Sequence, residues 1–344
     1  LRLSPETAAT DKLGWVDGGS SYSYPNSLIG SAASERWDAS SYTGVASGPG
    51  NFTTTYFHLY GLTVNLTIDG GGSPSSPALE ARQLGQSFVA ILGPGPNTYF
   101  LDAGSNWNVQ NPLNGSSAQE RWYADGPTSS NLTAGTTIML EYHHQYPVAT
   151  NISPQSGGSI SNLTGWQDQG TSLQLSAAVN LGWKFEGWNG SGTGAYTGGS
   201  NTTSILVGSP IQENATFYPG LKIVAGSNGQ VSYSFGSTSG TVQAGTTVTV
   251  FAPDGSAVVL NARPSSIFYA FSGWSQGTEG TGSTTSLTLM SPSTAQASFA
   301  LNIPLLAGIV AVILMVALVL AFALRSRRRT MSWDQVPVPK GASS

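Results

Sequence analysis

The feature that most limits what this chain can become is its repetition, because a segment copied within one sequence has to fold as the same unit more than once. Trp15-Val16-Asp17-Gly18-Gly19-Ser20 lies over Phe100-Leu101-Asp102-Ala103-Gly104-Ser105 at an offset of 85. The match continues without a gap through Asn26 over Asn111, Leu28 over Leu113 and Glu35-Arg36-Trp37 over Glu120-Arg121-Trp122. One inserted residue later, Tyr56-Phe57-His58-Leu59-Tyr60 falls on Tyr142-His143-His144-Gln145-Tyr146. A second pair, of a different kind, follows at an offset of 86: Phe185-Glu186-Gly187-Trp188 lies over Phe271-Ser272-Gly273-Trp274. It closes on Ala215-Thr216-Phe217 over Ala297-Ser298-Phe299. The chain therefore divides into module A (1–60), module A′ (61–146), module B (147–218) and module B′ (219–300).

Inside the modules the pattern is strand and turn. Leu62-Thr63-Val64-Asn65-Leu66-Thr67-Ile68 alternates apolar and polar residues and stops at Asp69-Gly70-Gly71-Gly72. Thr247-Val248-Thr249-Val250-Phe251 alternates likewise and stops at Pro253-Asp254-Gly255. Period two between Gly, Pro and Asp clusters predicts half-buried antiparallel strands. The expected fold class is all-β: tandem small sandwich-like modules followed by one C-terminal transmembrane α-helix. Short junctions are expected near Tyr146-Pro147 and Tyr218-Pro219-Gly220. There is no cysteine, so packing alone must hold the modules, and thiol catalysis and Cys-based metal sites are excluded. Module A lacks the first strands of its copy, which predicts that residues 1–344 are the tail of a longer protein.

Residues 303–324, IPLLAGIVAVILMVALVLAFAL, contain no charge and are long enough to cross a bilayer. Pro304 sits in the first turn, where its missing N–H costs little. Arg325, Arg327, Arg328 and Arg329 follow, a cluster that the positive-inside rule assigns to the cytoplasm. The expectation is a single-pass protein of the cell membrane, N-terminus outside, with residues 325–344 as a cytoplasmic tail. Residues 1–302 hold 8 Lys/Arg against 16 Asp/Glu, a net of −8. Such an acidic ectodomain offers no electrostatic footprint for nucleic acid.

The B pair resembles the divergent internalin-type B-repeat, the bacterial repeat domain. The resemblance rests on Gly182-Trp183-Lys184-Phe185-Glu186-Gly187-Trp188-Asn189-Gly190 closing at Ala215-Thr216-Phe217, and on Phe271-Ser272-Gly273-Trp274 closing at Ala297-Ser298-Phe299. B′ departs in its loop, Gln276-Gly277-Thr278-Glu279-Gly280, which lacks the full Gly-x-Gly of B. More loosely, the layout of repeats, helix and arginines is similar to the C-terminal region of archaeal surface proteins, some with thermopsin-like acid protease domains upstream. The resemblance implies display, adhesion or spacing, not catalysis.

Nine asparagines sit in N-x-[ST] sequons and are candidate glycosylation sites: Asn51, Asn65, Asn114, Asn131, Asn151, Asn162, Asn189, Asn201 and Asn214. None lies in B′. The carboxylates Asp17/Glu35 and Asp102/Glu120 could in principle do acid–base work or hold Ca²⁺. Their duplication at matching positions points instead to fold maintenance. His58 and His144 are equivalent copies, so they share a strand environment and do not converge on one metal. No catalytic, cofactor or metal residue is assigned. Gly190-Ser191-Gly192-Thr193-Gly194 opens no helix and carries no Lys, so it is a strand-connecting loop and not a phosphate cradle. Trp166 and Trp183 have no Trp partner in the repeats, which makes them the candidates for stacking on a sugar ring.

Three functional readings follow. The favoured one is a non-catalytic, membrane-anchored stalk or adhesion-type region displaying an upstream domain. The second is the anchor of a secreted thermopsin-like acid protease whose catalytic part lies outside this sequence. In the third, the modules themselves bind carbohydrate. The expected partners are the lipid bilayer, through the C-terminal helix, and surface glycans or other surface proteins.

Overall fold

The computed structural model describes residues 15–278, 282–330 and 341. The first residues of module A, most of the tail beyond Arg329 and part of the B′ loop around Glu279 lie outside the described residues. The fold is all-β with one C-terminal α-helix, as expected.

Module A′ is a two-sheet sandwich. Its first sheet is built on the strand Tyr56–Asp69, which pairs antiparallel with Gly95–Asp102 and, from Leu62 onward, parallel with Thr136–Ser153. Arg121–Asp125 then adds antiparallel to Thr136–Ser153. The second sheet runs in the order Ser129–Asn131, Asn106–Val109, Ala78–Gln83, Gln86–Ile91. Alternation supplies the core: Leu62, Val64 and Leu66 point inward with Ile138, Leu140 and Tyr142, against Leu79, Trp107 and Val109 of the other sheet. Fully burying an aliphatic side chain of this kind contributes about 1.5–3 kcal/mol. The Tyr142 hydroxyl, fully buried, donates to Gln110 O at 2.5 Å, and burial pushes the phenol up to about 12.

Module B′ repeats this plan with different residues. Ile211–Ala225 pairs antiparallel with Thr247–Phe251 and parallel with Ser293–Leu301, which pairs antiparallel with Tyr269–Ser275. The second sheet runs Ser256–Pro264 between Gly229–Phe235 and Thr284–Leu289, with Thr238–Val242 outside Gly229–Phe235. Strand for strand this is the order of A′. The two kinds of repeat are one topology. Trp122 and Trp274, both buried, occupy corresponding strands of the two cores.

The module boundaries fall inside strands. Tyr56–Asp69 crosses 60/61, Thr136–Ser153 crosses 146/147 and Ile211–Ala225 crosses 218/219. Where short junctions were expected, at Tyr146-Pro147 and Tyr218-Pro219-Gly220, the chain stays extended: the closing strand of one module continues as the opening strand of the next. The sequence hid this because Pro and Gly mark a break only when no neighbouring strand supplies the pairing. Here Pro147 lies opposite Trp166 and Gly220 opposite Phe251.

The C-terminal helix spans Ile303–Thr330, longer than the apolar run, and includes the arginine cluster. Its apolar stretch is long enough to cross a membrane, and none of that stretch is buried by protein. Asn302 caps it: the side-chain oxygen accepts from Leu305 N at 3.3 Å.

Candidate functional site

The duplicated residues of A and A′ converge on one cluster, made twice. In A, Trp37 lies opposite His58 across two paired strands, and their rings stack at 4.4 Å and 6°. His58 Nε2 meets Glu35 Oε1 at 2.8 Å, and Tyr60 packs on the imidazole at 4.6 Å. In A′, Trp122 stacks on His144 at 4.4 Å, Glu120 Oε1 lies 2.6 Å from His144 Nε2, and Tyr146 packs at 4.7 Å. The copies differ in depth. His58 keeps 26% of its side chain exposed and His144 only 4%. His144 Nδ1 donates to Gly70 O at 2.9 Å, so both of its ring nitrogens face oxygen atoms. Desolvation, with the charge and hydrogen bond of Glu120, raises the Tyr146 phenol. Each Glu thus makes a cross-strand pair with its His, joining two strands of one sheet. Asp102 does not join it: its Oδ2 accepts from Gly85 N at 2.8 Å, while Asp17 is exposed.

Next to each cluster an arginine reaches an aromatic of the following module. The Arg36 guanidinium sits 3.7 Å from the Phe100 ring centroid; Arg121 sits 4.5 Å from Trp166 and 4.4 Å from Tyr123. Phe100 lies opposite Gly61 and Trp166 opposite Pro147, equivalent places one residue past each boundary. Trp166 therefore serves as the platform for a protein cation, and one of its faces is taken. Desolvation lowers the Arg121 guanidinium, opposed by Tyr123 and Asp125. Trp183 is 8% exposed and belongs to the interior, so the reading of it as a sugar-stacking ring is corrected: a buried indole offers no open face.

His143 stands apart from its neighbour. Alternation turns it to the outer face, where an Asp69 oxygen, a Glu141 oxygen and a His143 nitrogen lie within 4.8 Å of one another. Asp125 and Asp168 each come to 3.9 Å from its ring nitrogens. Among the described residues this is the group whose donors could hold a divalent cation; its carboxylates are exposed, and exposed acidic clusters are common without an ion. Of the nine sequon asparagines, Asn51, Asn114, Asn131, Asn151, Asn162, Asn189 and Asn201 are exposed, and Asn65 and Asn214 half-buried. Asn214 is tied into its surroundings, donating to Asn189 O at 3.3 Å and accepting from Asn151 Nδ2 at 3.3 Å.

The Gly-rich run of B is a loop built for close approach. A Cβ at Gly192 would lie 2.0 Å from Pro210 O, and one at Gly194 would lie 1.7 Å from Leu206 O; both residues have positive φ. The loop closes over Glu213, a carboxyl the sequence reading did not single out. Glu213 is 0% exposed; Oε1 accepts from Tyr196 N at 2.6 Å, and Oε2 has no hydrogen-bond partner. Burial raises its pKa, offset in part by the Tyr196 N–H. The phase of the strand could have found it: Ile211, Ala215 and Phe217 are buried, and Glu213 shares their face. B′ has the equally buried Ala295 there, together with a different loop.

Residues 148–220 and 219–303 match the family model of the divergent InlB B-repeat domain, in agreement with the resemblance read from modules B and B′. No curated protein matches the chain. Among solved structures it is similar to the pilus adhesin SpaC of Lactobacillus rhamnosus GG in its open conformation, at 8% identity and a TM-score of 0.26, covering 76% of this chain and 47% of that one. It is also similar to the Bacillus anthracis TIE protein, at 8% identity and a TM-score of 0.21, covering 76% and 56%. The major pilin T-13 of Streptococcus pyogenes follows at 10% and 0.18, covering 71% and 96%. The chain spans about half the length of the first two. Similarity at these scores carries no argument about this chain's activity.

Proposed function

We propose that this chain is the membrane-anchored, surface-displayed and non-catalytic region of a cell-surface protein, its β modules outside and its Arg-rich end in the cytoplasm. The observation that carries the reading is the apolar helix: it begins two residues after the last B′ strand closes and buries none of its apolar stretch against protein. Side chains of this kind leave water only by entering lipid. Four arginines at its far end favour the cytoplasmic side for the C-terminus. Support for a non-catalytic role comes from the duplicated Glu–His–Trp clusters, which join strands in two copies. An acid protease domain on the N-terminal side is the alternative, carried by the layout resemblance alone; sequence N-terminal to Leu1 discriminates the two.

The test is fractionation of cells expressing the chain with a C-terminal tag, followed by protease treatment of intact cells. The tag should stay in carbonate-washed membranes and survive the protease, while the β modules are lost. A tag recovered in the soluble fraction refutes anchoring; a tag digested in intact cells refutes the orientation.

A further inference from the structure

Asn302 ties module B′ to the start of the helix. Besides capping the helix, Asn302 donates from its backbone N to Phe268 O at 2.8 Å and from Nδ2 to Ile267 O at 3.2 Å. The loop carrying these carbonyls is fixed at its other end as well. Ser265 N and Oγ both donate to Asn228 O at 2.9 Å, and Tyr269 N donates to Ser266 O at 3.2 Å. Tyr269 then pairs with Leu301, one residue before the cap. A loop so held nevertheless turns its two largest apolar side chains outward, Ile267 at 68% and Phe268 at 45% exposure, beside the exposed Leu301 and Ile303.

Single exposed apolar residues are ordinary. Here the neighbourhood decides the matter. At 1.5 Å per residue, the 22 apolar residues from Ile303 measure about 33 Å against roughly 30 Å of hydrocarbon, which leaves almost no slack to lift Ile303 clear of the lipid. The carbonyls of residues 267 and 268 bond to the residue just before it, so the backbone of the loop lies beside the start of the helix. No charge on the loop or its flanks opposes such a contact, since residues 264–278 carry none.

We propose that the loop Ser265–Phe268 is a second membrane contact, with Ile267 and Phe268 inserted at the headgroup–acyl boundary of the leaflet that the helix enters. The proposal rests on the reading of residues 303–324 as a bilayer span, and the partner is the lipid surface itself. Asn302 then joins two membrane-inserted elements, and module B′ is held to the bilayer at two places.

The absence of cysteine makes the test direct. Single variants Ile267→Cys, Phe268→Cys, Val316→Cys and Met290→Cys of the full chain are labelled with an environment-sensitive fluorophore and reconstituted in phosphatidylcholine vesicles with lipids spin-labelled near the headgroup or deep in the acyl chain. Val316 reports the middle of the helix. Met290 is 66% exposed and follows Leu289, which pairs with Ser256 at the end of its strand remote from the loop. Probes at 267 and 268 should be quenched by the shallow label at least twofold more than the probe at 290, with 316 quenched by the deep label. Quenching at 267 and 268 no greater than at 290, with 316 still quenched, overturns the loop contact and leaves the span standing. Loss of quenching at 316 overturns both.

Discussion

Replacing Glu213 by Gln is expected to stabilise module B at neutral pH and to leave it unchanged in acid. The carboxyl is fully buried and one of its oxygens has no partner, so its ionised form is held in the interior with half of its hydrogen-bonding capacity unmet. Burial raises its pKa above the ordinary 4.5. The sign follows from linkage: a raised carboxyl contributes fully below its unfolded value, and that contribution is lost as the pH rises through the folded value. A buried donor or acceptor left unsatisfied costs about 1–3 kcal/mol, and more when it is charged. Gln retains the bond from Tyr196 N and carries no charge, though its amide nitrogen takes the unpartnered place, so a gain in the lower part of that range, about 1.4 kcal/mol or a factor of about 10 in the opening equilibrium, is expected. The assay is amide hydrogen exchange of residues 189–217 in the full chain in detergent micelles, corrected for intrinsic rates. Glu213→Gln should slow exchange about 10-fold at pH 7, by the factor just given, and not at pH 4. Equal or faster exchange at pH 7 would show that the carboxylate is at ease where it lies, and the reasoning would fail.

Two further substitutions probe the other sites. His144→Ala removes a side chain that is 4% exposed and stacked on Trp122, which should cost about 2–4 kcal/mol in lost packing, more than His58→Ala, whose side chain is 26% exposed; urea unfolding followed by Trp fluorescence compares them, and equal costs would refute the distinction. Gly194→Ala forces a Cβ onto Leu206 O at a φ of +91°, so a loss of about 2–4 kcal/mol and rapid proteolytic nicking near residue 194 are expected, with intact resistance as the contrary result.

Much of this architecture was legible in the sequence because alternation and duplication are local signals. Leu62 to Ile68 announces a strand with one buried face, and the Glu35-Arg36-Trp37 and Glu120-Arg121-Trp122 copies announce a repeated structural unit, although not that each Glu meets the His of the neighbouring strand. What stayed hidden is pairing at a distance. Leu62, Val64 and Leu66 of A′ correspond to Leu221, Ile223 and Ala225 of B′ in strand order alone, and no residue-by-residue match links the two kinds of module. Trp183 and Trp188 illustrate a second limit. Composition cannot tell a platform from a core ring, because indoles suit both, and the buried fate of Trp183 depends on strands far away in sequence. Glu213 is the opposite case: the information was present in the phase of its neighbours, but a charge between Gln212 and Asn214 reads as outward until that phase is followed.

The strand Ile211–Ala225 buries every odd-numbered position from one end to the other. Such a strand carries a parity rule across the boundary at Pro219. One residue inserted there would rotate Leu221, Ile223 and Ala225 toward solvent and bring Lys222 inside, whereas two residues would restore the facing. Modules linked in this way can be added, lost or exchanged in evolution only by cuts that preserve the count, so the sharing of strands makes the seam between repeats the least forgiving place to change the length of the chain.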